Sequence, residues 1–125
     1  MVSPSLVRKH DIAMCQSLVV AIALIVFSSV TSAAEKLPAG AIKKGTLANA
    51  KLIRDAKMGV VSKVAVMGCT KPGDFEPYVV AMPSGAVGER RWKELWVVSG
   101  CGKEYPVKIE FYEDGPNAAN WTIAK

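Results

Sequence analysis

The sequence predicts an α+β domain: one N-terminal helix packed on a four- to five-stranded antiparallel sheet, a meander stapled by one disulfide. Three observations carry that expectation. A helix-like segment, "TLANAKLIRDAKMG", comes first. A succession of valine- and aromatic-rich runs follows, separated by Gly, Pro and Asp. Two cysteines, Cys69 and Cys101, each stand just after such a run.

In the helical segment Thr46 stands where an N-cap belongs and Gly59 where a C-terminal stop belongs. Leu47, Ala50, Ile53 or Arg54, and Met58 fall near one face, with Leu52 widening the apolar arc. From Val60 the character turns to β. "VVSKVAVMGC" is the first expected strand, and "PYVVAMP" the second, with Tyr78, Val80 and Met82 on one side. After the turn-rich "SGAVGE", the run "RRWKELWVVSGC" has two faces. Leu95, Val97, Ser99 and Cys101 share one; Trp92, Glu94, Trp96 and Val98 share the other. "EYPVKIEFYED" alternates most cleanly, with Tyr105, Val107, Ile109 and Phe111 pointing one way. Asp114-Gly115 opens a turn, and "NWTIAK" closes the chain as a short strand with Trp121 and Ile123 inward.

The first 34 residues are not domain material. Arg8 and Lys9 precede fourteen uncharged residues, Ser17 to Val30, and "TSAAE" offers small residues for cleavage after Ala33 or Ala34. That order reads as a secretory signal peptide over residues 1–34. The rival reading is an uncleaved anchor, for which the apolar stretch falls short of the roughly 20 residues a spanning helix needs. Residues 35–45, "EKLPAGAIKKG", read as a flexible lead-in, and 46–125 as the single domain.

Cleavage removes His10, the one histidine, and Cys15. It leaves 14 cations against 10 carboxylates, a net charge of +4. Lys and Arg never run longer than two, so the surface is mildly basic without a nucleic-acid signature. In an oxidising compartment Cys69 and Cys101 are expected to pair. They lie too far apart in sequence for a C-x-x-C redox motif, and with no histidine they offer too few ligands for zinc. No metal and no cofactor is expected. Without histidine no Ser-His-Asp or Cys-His system can be assembled, so the chain is read as non-enzymatic.

The segment Trp92 to Gly115, "WKELWVVSGCGKEYPVKIEFYEDG", resembles the end of small exported bacterial proteins of unknown function. Those carry a W-x-x-x-W-x-V-x-x-C-G core, an alternating strand and an Asp-Gly turn. The resemblance implies an exported domain with a disulfide and carries no activity.

Two stretches are candidate binding surfaces. "ERRWKELW" mixes cations with aromatics, so Arg90, Lys93, Trp92 and Trp96 form a patch if the indoles face away from the core; alternatively both indoles pack under the helix or a loop. "PGDFEPY" sets Asp74 and Glu76 around Phe75. On an extended segment an i, i+2 pair shares a side, so the two acids could serve a small hydrolase or lyase; the plainer reading is a solvated loop anchored by Phe75. The expected function is an exported binding domain whose partner is a protein or an anionic envelope polymer. Neither nucleic acid nor, beyond export, a membrane is expected as partner. A homo-oligomeric structural protein paired through an edge strand is the third reading.

Overall fold

The computed structural model describes residues 35–125; the expected export segment, 1–34, lies outside the described residues. The elements run β1 (Lys43–Lys44), α1 (Ala50–Val66), β2 (Pro72–Ser84), β3 (Arg91–Gly100), β4 (Lys103–Glu113) and β5 (Ala119–Ile123). They build one antiparallel meander in the order β1-β2-β3-β4-β5, with α1 laid on β4 and β5. The helix-on-meander class and its disulfide are therefore as the sequence predicts, but the pieces are cut differently.

The helix does not stop at Gly59. It continues to Val66, so the stretch expected as the first strand, 60–69, is mostly helix. Leu52, Ala56, Val60 and Val64 recur every four residues and are all buried, which fixes one face of a helix on the sheet. Burying Val60 and Val64 outweighs the modest preference of valine for strands. Gly59 serves a contact instead of a stop: a Cβ there would sit 2.2 Å from the Trp121 ring. The stop comes later, where Gly68 takes φ +115° and the amides of Gly68 and Cys69 reach back to the Ala65 and Val64 carbonyls. The N-cap is Asn49, whose side chain accepts from the Leu52 amide at 2.9 Å, and Thr46 is free for another task. Met58, expected on the inner face, is 73% exposed.

The missing strand is supplied by the expected lead-in. Lys43 and Lys44 pair with Val79 and Tyr78, and the amides of Ile42 and Gly45 donate to the Val79 and Pro77 carbonyls. Nothing in "AIKKG" alternates; the free edge of β2 imposes the extended form.

Along β4 the alternation holds, with Tyr105, Val107, Ile109 and Phe111 all buried against the helix side. Along β2 it fails. Register shifts beyond Val79 break the period, so Tyr78 is buried while Met82 is half exposed. Cys101 and Gly102, at φ 52° and 72°, form the two-residue turn between β3 and β4. The Cys69–Cys101 disulfide, with Cα atoms 5.8 Å apart, ties the helix exit to that turn. Gly100 makes the crossing possible, since a Cβ there would lie 3.1 Å from the Cys69 sulfur.

Candidate functional site

Strand parity decides which side chains of β3 can meet a partner. Trp92 pairs with Phe111, Glu94 with Ile109 and Trp96 with Val107, and all of these sit on the helix face. Trp92 and Trp96 are 7% and 2% exposed, and Trp92 stacks on Phe111 at 5.2 Å. The aromatic part of the expected patch is therefore core. Between the indoles lies Glu94, itself buried. Its Oε1 accepts from Trp92 Nε1 at 3.0 Å, from Thr46 Oγ1 at 2.9 Å and from the Leu47 amide at 2.8 Å. Its Oε2 accepts from Trp96 Nε1 at 2.8 Å. The Thr46 hydroxyl accepts from the Ala48 amide, which leaves its own proton for Glu94.

This arrangement explains why the indoles turn inward. A buried indole N–H needs an acceptor, and a carboxylate two residues away on the same face of the strand serves both. The same carboxylate anchors Thr46 and Leu47, so the segment between β1 and α1 is pinned to the sheet. Four donors and no ion-pair partner among the described residues surround it, a satisfied buried charge with no open side for a ligand. The signal was present as W-x-E-x-W, a period-two triplet whose centre is the acceptor.

The cations of the same stretch have separate fates. Arg90 is clamped by Glu113, and Glu113 also accepts from the Gly88 amide at 2.7 Å and the Arg90 amide at 3.2 Å. The Arg90 guanidinium and these amides hold the Glu113 carboxyl at a pKa of about 2. Arg91 pairs with Glu110 at 2.9 Å and lies over the Tyr112 ring. Lys93 lies on the opposite, wet face of the sheet, in register with Glu110.

The "PGDFEPY" stretch is part of β2 and not a loop. Phe75 turns inward to the core, with Lys57 Nζ 4.4 Å from its ring centre. Glu76 accepts from the Tyr78 hydroxyl at 2.9 Å, a bond that raises the phenol's pKa. Asp74 falls in the register shift before Phe75. Glu76 lines a groove on the wet face from which Asp74 is absent. The geometry thus gives the two acids different surroundings. Cys69 and Cys101 are spent in the disulfide, and no group of His, Cys, Asp or Glu among the described residues is arranged to hold a metal.

What remains accessible is the wet face of β2, β3 and β4. Its floor is Tyr78, Leu95, Val97 and Pro106, and Leu37 and Pro38 lean over one side. Tyr78 and Leu95 are buried although they face away from the helix. The lead-in shields them, so the floor is a groove instead of a flat sheet. Beside it a smaller recess is lined by Val80, Lys93, Lys108 and Thr122. No family model, curated protein or solved structure matches the chain.

Proposed function

We propose that this chain is an exported, disulfide-stapled, non-enzymatic binding domain that engages its partner through the wet face of β2, β3 and β4. The observation that carries the reading is the groove: an apolar floor open at Val97 and Pro106 above buried Leu95, partly roofed by Leu37 and Pro38 and bordered by Lys93 and Lys108. A floor of this kind supplies contact area, and the lysines supply orientation toward an anionic or mixed surface. The cysteines bridge and Glu94 is consumed by four donors, so these three side chains serve the fold, while Asp74 and Glu76 stand in different surroundings. The disulfide suits an oxidising compartment, and the 1–34 segment suits the route to it.

Photocrosslinking in the native host tests the reading. A photoreactive residue at Val97 is expected to capture a discrete protein or envelope polymer, and the adduct is expected to vanish in the Lys93→Glu/Lys108→Glu background. The same probe at Met58, on the outer side of α1, serves as reference. Equal capture from both positions, or capture indifferent to the lysine reversals, would remove the wet face as the site.

A further inference from the structure

We propose that two copies of this domain pair through the free edge of β5, forming a continuous ten-stranded sheet with the two α1 helices side by side. The two edges of the sheet differ sharply. β1 is two residues long and carries two exposed lysines, a guarded edge. β5 is "ANWTI", without charge, proline or bulge.

Among the described residues its hydrogen-bonding register is complete toward β4 and open on the other side. The Ala124 amide donates to Lys108 and the Asp114 amide to Ala118, which places Asn120 and Thr122 in the bonded pairs with β4. The amides and carbonyls of Ala119, Trp121 and Ile123 therefore point out of the sheet. A dyad through Trp121 would bond Trp121 to its own copy, and Ala119 to the copy's Ile123 on either side. Every outward group of the strand would find a partner in that register.

The helix fits the same dyad. α1 rests over β4 and β5, with Gly59 on the Trp121 ring. Its axis thus lies about one strand spacing, near 5 Å, from the proposed axis, and the two helices would be about 10 Å apart, a normal packing distance. Asp55 and Lys63 stand four residues either side of Gly59, on the flank beside β5. Antiparallel helices centred on Gly59 would bring Asp55 of each copy to Lys63 of the other. Asp55 already pairs with Lys51 at 2.7 Å, so each copy would offer a cation-carboxylate cluster instead of a bare charge. Val66, 86% exposed, follows Lys63 by three residues, the spacing at which helical side chains neighbour each other. The dimer leaves both wet grooves open on one side, which makes the assembly bivalent without depending on the groove's assignment.

Sedimentation velocity of the oxidised protein over a concentration series, with amide exchange at its two ends, tests the pairing. Dimer at high concentration is expected, with the Trp121 and Ile123 amides slowing as dimer forms. Asp55→Lys and Lys63→Asp should each weaken association about tenfold, because two symmetric contacts turn repulsive, and the double swap should restore it. A monomer throughout the series overturns the proposal. So does a dimer whose Trp121 and Ile123 amides stay exposed, or one indifferent to both single reversals.

Discussion

Removing the Glu94 carboxylate is the most informative single perturbation of this fold. Glu94→Ala takes the acceptor from two buried indole N–H groups and from one part-buried amide and one part-buried hydroxyl. Each hydrogen bond to a charged group contributes about 1.5–3 kcal/mol, and such losses are not additive when one acceptor serves them all. A total near 4 kcal/mol is expected, the usual cost of breaking a buried charged network. A domain of this size has roughly 5–14 kcal/mol of total stability, so the variant should fold marginally. Glu94→Gln is the sharper probe. It keeps the shape, yet its amide nitrogen would have to face a donor, for a cost of about 2–3 kcal/mol and a Tm lowered by about 10–20 °C. Thermal and urea unfolding followed by tryptophan fluorescence measure this directly, since two of the three tryptophans, Trp92 and Trp96, donate to the carboxylate itself. A Gln variant within about 0.5 kcal/mol of the parent would refute the reasoning that the carboxylate organises the indoles.

Further expectations concern other elements. Opening the disulfide by Cys69→Ser/Cys101→Ser should cost about 3–4 kcal/mol, read as a lower urea midpoint, because the bridge closes a loop of about 33 residues. Gly59→Ala should destabilise despite the better helix propensity of alanine, by about 1–3 kcal/mol in the same assay, since the new Cβ meets the Trp121 ring. Glu113 gives the pH response. Its folded pKa of about 2 lies below the ordinary 4.5, so its contribution is complete above pH 4.5 and lost as pH falls toward 2. Glu113→Gln should flatten the drop of Tm across that window while leaving the slope at neutral pH unchanged.

The class of the fold was legible because two patterns are unambiguous. Tyr105 to Phe111 alternate without a break, and Cys69 and Cys101 each follow a valine-rich run, where two chain segments can be stapled. The boundary between helix and sheet was not legible, for a physical reason. Gly59 and a valine-rich sequel look like a stop followed by a strand, and only the Trp121 ring, sixty-two residues on, shows why glycine stands in mid-helix. β1 was equally hidden, since its extended form comes from the edge of β2 and not from its own side chains. At the candidate site the alternation of β3 leaves both parities open, indoles outward as a patch or inward as core, and the structure takes the second. Trp92 and Trp96 attract notice as binding residues, while Glu94 between them reads as one more surface acid. Seen as a triplet with period two, it is an acceptor placed for two indoles, and the alternate residues Lys93, Leu95 and Val97 fall to the wet face proposed as the binding surface, with Leu95 buried beneath the lead-in. Arg90 was legible as a cation but not as an occupied one, because Glu113 lies on a neighbouring strand.

The proposed binding domain requires an exported chain whose cysteines serve the fold and leave the sheet's wet face free for a partner. Intact mass of the protein recovered from its own host, before and after alkylation without reductant, tests this most directly. A chain beginning at Ala34 or Glu35, two protons lighter than its reduced form and inert to the alkylating agent, is the predicted result. A chain that keeps its leader, or one in which Cys69 and Cys101 both alkylate, would contradict it and turn attention to the Gly100-Cys101-Gly102 turn as a reactive site.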